Sequence, residues 1–157
     1  MLVLLSSLAV ACAAPQDEGH RDVAALEDTL RARIEAAYDF TRPDVVAAMA
    51  SLYPDTGRVV SASGGELITS PDSLRQGIAV FWENVGTNMR DPVWQWKEVH
   101  VDELGRDAAV LSATWAIPHI APTGRPHVIE GAWTAVFRRI GGEWLIVHEH
   151  LSIPPPN

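Results

Sequence analysis

Two histidines stand two apart near the end of the chain, His148 and His150, in the run 144–152. Alternate residues of a strand share a face, so both imidazoles fall with Trp144, Ile146 and Ser152, and Glu149 falls opposite with Leu145, Val147 and Leu151. Ile146, lying between Trp144 and His148, marks that face as the buried one. An imidazole titrates near neutrality and suits a general base or a hydrogen-bond donor to a ligand. The alternative is a structural imidazole that satisfies a carbonyl or an indole; that reading leads for His148 and is even for His150. His-x-His also suits one metal ion. A third ligand would have to come from His119, His127 or Glu130, and no spacing enforces it, so neither a metal nor a cofactor is expected. Glu130 is the acid that could orient a His across the sheet, against a plainer role as a solvated cross-strand partner. Gly131 beside it marks a bulge or a close backbone approach, and a bulge there would exchange the strand's faces midway. His119 is expected at a pocket rim or exposed, and His100 on the surface.

Six Trp is a high count for 157 residues. Each buries a large area and wants a partner for its indole N–H. The set reads either as a filled core or as the wall of a slot for a flat apolar ligand. The candidate lining is Tyr38, Tyr53, Trp82, Trp96, Trp115 and Trp133, and the expected partner is a small apolar molecule. An exposed sheet face carrying Trp would instead serve a dimer, and a homodimer is expected.

The elements that position these groups follow from periodicity. Val23, Leu26, Leu30, Ile34 and Ala37 recur at three or four, giving a helix to about Tyr38. Thr41 as cap, Pro43 in the first turn and Asp44 at N3 start a second helix that stops at Pro54. Residues 58–62 and 66–69 read as strands around the turn Ser63-Gly64-Gly65. Ser70 and Pro71 open a third helix that Gly86 ends. Beyond Pro92 the period falls to two. Strands are expected over 93–101, 108–120, 127–139 and 143–152, with Trp94, Trp96, Glu98 and His100 on one face of the first and Pro118 bending the second. Helices followed by antiparallel strands make an α+β layer fold. Here it is a cone-shaped, curved, mainly antiparallel sheet with two to three N-terminal helices on its concave face.

Apolar residues make up 47% and charged residues 20%, with twelve Lys plus Arg against twenty Asp plus Glu and a net charge of −8. That balance excludes disorder and disfavours nucleic acid and capture on an anionic membrane. Residues 1–11 are uncharged and apolar, with the length of a signal-peptide core, and Cys12 follows. The run resembles a lipoprotein leader with Cys12 as the lipidated residue, although no Lys or Arg precedes it and Leu8 sits one place early. The domain organisation is then a leader over 1–12, a tether over 13–22, one domain over 23–153 and a Pro-rich tail over 154–157. The location is outside the cytoplasm: periplasmic, lipid-anchored or secreted, with no transmembrane domain after processing. The domain holds no disulfide, so its core must stabilise it.

Three segments carry a family resemblance. Residues 51–55 (Ser51-Leu52-Tyr53-Pro54-Asp55) look like the end of a second helix, 132–144 like a penultimate hairpin and 145–152 like a terminal strand of the nuclear-transport-factor-2-like superfamily, SnoaL-like branch. The resemblance spans about 23–153 and implies the cone fold. It does not choose among isomerases, cyclases, dehydratases, epoxide hydrolases and non-catalytic binding or assembly domains. The isomerase branch's Asp base falls near Ser61, its second Asp near Trp133 or Thr134, and its Tyr donor close to Tyr38. With no acid at either Asp position, a steroid-isomerase mechanism is not supported. A cyclase or dehydratase using a His with an acid, and a non-catalytic ligand- or protein-binding domain at the cell envelope, both stay open.

Overall fold

Apolar residues three and four apart build the first helix, which runs on ahead of them through the polar stretch 18–22. In the computed structural model, which describes residues 18–154 and side chains from Val23 on, α1 spans Glu18–Ala37 and so starts ahead of Val23. The leader, Cys12 and the last three residues lie outside the described residues. Leu30 and Ile34 on α1 are fully buried. Helix α2, Val45–Ala50, is shorter than the pattern suggests. Asp44 rather than Thr41 stands at its N-cap without a side-chain cap bond. Its carboxylate is taken by Arg42 at 2.9 Å, and Thr41 turns back to Asp39. Strands β1, Val60–Ser63, and β2, Glu66–Ile68, form a hairpin through Gly64 and Gly65, whose φ of 60° and 85° suit its two-residue turn. Ser70 caps α3, Pro71–Asn84, by accepting from Ser73 N at 3.2 Å. A 3-10 turn follows at Gly86–Asn88. A Cβ on Gly86 would stand 2.0 Å from the Trp82 ring, so only glycine lets that indole lie across the helix end. Among the described residues no helix is long and apolar enough to cross a membrane.

Four long strands complete the chain: β3 Gln95–Gly105, β4 Ala108–Ile120, β5 Pro126–Ile140 and β6 Glu143–Ser152. The sheet order is β2-β1-β6-β5-β4-β3, antiparallel throughout except for the parallel pair β1–β6. The expected α+β layer fold, a curved and mainly antiparallel sheet with helices on its inner face, is the observed one. Leu111, Trp133, Ala135, Phe137 and Ile146 on the inner face pack against Leu30, Ile34 and Leu52.

Pro118 does not bend β4, whose pairing with β5 runs unbroken from Ala108 to Ile120. Its carbonyl accepts from Val93 N at 3.2 Å, so its nitrogen also faces the β3 side, where the β3 ladder has already ended at Gln95. A missing N–H costs nothing on such an open edge. Nor does Gly131 make a bulge. It is the close approach: a Cβ there would lie 2.4 Å from Ser152 O and 3.3 Å from the Trp115 ring.

The bulges fall elsewhere, at Lys97 and Leu104 in β3 and at Val147 in β6, each an extra residue opposite none on the partner strand. An extra residue exchanges the faces beyond it. In β3, Trp96 is therefore followed on the inner face by Val99 and Val101, with Glu98 and His100 outside. This corrects the single alternation expected across 93–101. In β6, Trp144 and Ile146 point inward, then Glu149 and Leu151 do, and His148 and His150 turn out to solvent.

Gly131→Ala sets a methyl against a backbone oxygen that β5–β6 pairing holds in place. It should lower unfolding stability by about 2 kcal/mol, the usual range for an overpacked site. A urea titration would show this as a lower midpoint at unchanged slope; an unchanged midpoint would contradict the close approach.

Candidate functional site

Glu149 is the centre of the inner face. It is 2% exposed, and on β6 it pairs with Ser61 of β1 on one side and Ala135 of β5 on the other. Three neutral donors reach its carboxylate from three elements. The Ser61 hydroxyl donates to Oε1 at 2.7 Å, and the Tyr53 hydroxyl and Trp133 Nε1–H donate to Oε2 at 2.8 and 2.9 Å. No Lys or Arg pairs with it among the described residues. Burial pushes its pKa above the ordinary glutamate value, and the three hydrogen bonds pull part of the way back. Tyr38 keeps some surface, but its hydroxyl lies deep: burial, and next the charge of Glu149, raise its pKa. Tyr53 is raised by burial first, then by Glu149 and Tyr38.

Aromatic rings extend from this carboxyl along the sheet. Trp94 lies between Tyr38, at 4.3 Å between ring centres, and Trp115, stacked at 5.2 Å. Trp133 meets Tyr38 and Trp94 edge to face. Trp94 belongs to the segment before β3 rather than to a strand, three residues after Asp91 with its φ of 54°. The indole N–H groups of Trp94 and Trp115 are buried with no partner, in a chain whose other buried polar groups are largely satisfied. Such orphan donors call for an explanation.

Of the lining expected from the sequence, Tyr38, Tyr53, Trp115 and Trp133 converge here. Trp82 stacks instead on Phe40 at 6.0 Å. Trp96 turns to α1, donating to Glu35 at 2.7 Å beneath the Arg31 guanidinium. The imidazoles do not converge. His148 and His150 lie on the outer face between β1 and β5, and His100 pairs with Glu98 at 2.9 Å. Glu130 is ion-paired with Lys97 and faces no histidine. His119, expected at a rim or exposed, is 8% exposed at the far end of the inner face. There it stands opposite His127 beside a cavity of about 400 Å³ that Asn84, Asn88 and Met89 also line.

The residues that sequence reasoning missed are Glu149, Ser61 and Trp94. Strict alternation places Glu149 outside, and only the bulge at Val147 brings it in. The one available signal is Ser61, a small hydroxyl near which the resemblance would put the isomerase branch's Asp base.

A profile of the SnoaL-like domain family matches residues 30–156. No curated protein matches the chain. Among solved structures, a candidate dehydratase of the nuclear-transport-factor-2-like family from Streptomyces avermitilis superposes with TM-score 0.67 at 19% identity, covering 84% of this chain and 98% of that one. A candidate scytalone dehydratase from Novosphingobium aromaticivorans gives 0.67 at 14%, covering 86% and 89%. A candidate calcium/calmodulin dependent protein kinase II association domain from Xanthomonas campestris gives 0.60 at 22%, covering 96% and 99%. Identities this low carry the fold alone, while the profile spans most of the chain: the protein belongs to the SnoaL-like domain family, within the nuclear-transport-factor-2-like fold.

Proposed function

We propose that this domain binds a small, flat, apolar molecule on the inner face of its sheet, and that Glu149 transfers a proton there without a cofactor. The observation that carries the reading is a buried carboxyl that no Lys or Arg pairs with among the described residues, set where the resembled isomerase branch places its chemistry. Tyr38, Ser61 and Trp133 stand near that branch's Tyr and two Asp positions, and here all three lie around Glu149. Burial favours the protonated acid, which can hand its proton to a departing hydroxyl. The carboxylate, steadied by Tyr53, Ser61 and Trp133, can take a proton from carbon. Two neighbours of the fold carry dehydratase names, in keeping with either step. The ligand would take the place of Trp94 between Tyr38 and Trp115. Export ahead of the domain would put this chemistry outside the cytoplasm; the homodimer expectation loses its ground, since among the described residues no Trp lies on the outer sheet face.

A second reading is a non-catalytic binding domain. It is favoured by the carboxyl's engagement with three donors and by the filling of the Tyr38–Trp115 slot by Trp94.

The first test concerns Glu149 itself. Its folded pKa lies above the unfolded value, so between the ordinary 4.5 and the raised value the folded state holds more proton than the unfolded one. Wild-type stability must therefore fall as pH rises through that window. Glu149→Gln keeps the packing, since the Ser61 hydroxyl can turn to accept from the new amide, and it cannot ionise. The melting temperature of wild type relative to Glu149→Gln should drop steadily from pH 4.5 upward; parallel curves would show that the carboxyl is not perturbed.

The second test uses 2-tetralone, a flat ketone with acidic α-hydrogens. It should quench Trp fluorescence saturably, about tenfold more tightly in Trp94→Ala, where the slot is vacated, a gain of about 1.4 kcal/mol. In D₂O, wild type should speed exchange of its α-hydrogens, and Glu149→Gln should lose about a hundredfold or more of that acceleration. Binding without exchange would establish the non-catalytic reading, and no saturable quenching in either protein would remove the ligand site.

A further inference from the structure

The deep carboxyl leaves one group of titratable side chains unused, at the opposite end of the inner face. His119 of β4 and His127 of β5 are directly opposed in the antiparallel register. Both continue the inner-face rows that hold Trp115 with Gly131 and then Ile117 with Ile129. Directly opposed residues bring their Cβ atoms to about 5 Å, close enough for side chains to share a ligand. We propose that this pair binds a single late first-row divalent metal ion, Cu²⁺ most tightly.

Three observations carry it. The ring centres are 5.2 Å apart, with the planes at 83°. Two imidazoles on one tetrahedral ion, with metal–nitrogen bonds of about 2.0–2.1 Å, place their ring centres about 5 Å apart. His119 is already set as a ligand: Nδ1 lies 3.0 Å from Ile117 O. A carbonyl can only accept, so Nδ1–H is the donor, and in the neutral ring Nε2 holds the lone pair. A second nitrogen tied to a backbone carbonyl is the usual outer support of a metal-binding imidazole. The third observation is access. His119 is 8% exposed, whereas His127 is exposed, so an ion entering from water meets first an open imidazole and then one anchored on a carbonyl. The adjoining cavity of about 400 Å³, lined also by Asn84, Asn88 and Met89, leaves room for water or a further ligand atom.

The donor set defines the kind of site. Among the described residues no third His, Cys, Asp or Glu completes the group. The remaining positions therefore belong to exchangeable ligands, and the ion is labile rather than structural. Neutral imidazoles suit copper, nickel and zinc better than calcium or magnesium, and affinity for a given nitrogen site peaks at copper. The inference is independent of Glu149, since the two sites share no residue.

The full-length protein titrated with CuCl₂ should bind one equivalent whose electron paramagnetic resonance spectrum shows coupling to two imidazole nitrogens. His127→Ala removes an exposed side chain and so keeps the fold. It should weaken binding about tenfold or more and leave coupling to one nitrogen at most. His119→Gln, checked for an unchanged circular dichroism spectrum, should do the same. The double variant His148→Ala/His150→Ala should bind as wild type does. Undiminished binding in His127→Ala, or loss of binding in the His148/His150 variant, would overturn the assignment and leave the two rings as an edge-to-face aromatic contact.

Discussion

A buried carboxyl group, with no Lys or Arg paired to it among the described residues, is the constraint around which the rest of this fold is arranged. An isolated carboxylate in an apolar interior costs several kcal/mol, and neutral hydrogen bonds recover part of that. Glu149 collects three of them, from the segment after α2, from β1 and from β5. Each donor can do so only because its own element is fixed. Tyr53 follows Leu52, whose carbonyl accepts from Ile146 N at 2.8 Å. Ser61 is in register with Glu149 through the single parallel pairing of the sheet. Trp133 is buried against the core. The acid thus ties the end of the helical layer to both of its neighbouring strands, and shifting any one of them by a residue would leave it unsatisfied.

Two of the inserted residues, Val147 and Lys97, decide which side chains share that interior. Were Val147 an ordinary ladder residue, His148 and His150 would face the core and Glu149 would face water. Because it is bulged out of the ladder instead, the imidazoles go outside and the acid comes in. The extra Lys97 does the corresponding thing to β3: it keeps Trp96 inside, lets Val99 and Val101 follow it, and sends Glu98 and His100 out. Because the side-chain period of a strand is two, each bulge is a switch for everything beyond it, and small insertions of this kind commonly sit beside functional sites.

That is also why the sequence disclosed the fold better than the site. The helix starts at Ser70-Pro71, the Gly64-Gly65 hairpin and the change to period two after Pro92 are local signals, and the layer order follows from them. The breadth of the apolar pattern tolerates an error of a residue or two at any boundary, as at α1 and at the cap of α2. A face assignment tolerates none. Nothing in the run 144–152 marks Val147 as extra, since a valine fits a bulge and a ladder equally well, so alternation carried through to the strand end selects the wrong side for its last residues. Aromatic bulk was legible, and Tyr38, Tyr53, Trp115 and Trp133 do gather. Trp94 was read as a strand residue, whereas it precedes the strand and fills the space between two rings.

The position of the acid has a consequence for how such a fold can change its chemistry. The resembled isomerase branch holds its base on the strand that here supplies Ser61. This chain has no carboxylate between Asp55 and Glu66, yet a carboxyl occupies the same neighbourhood, delivered from β6. The parallel pairing of β1 with β6 makes the exchange geometrically cheap: residues paired across it project side by side from the same face, so a short hydroxyl on one strand and a long acid on the other can place a carboxyl where a single Asp otherwise would. Under the proposed function, it is the spot on the inner face that matters, not the strand that fills it. The acid is then reached by register across the sheet rather than by position along the sequence.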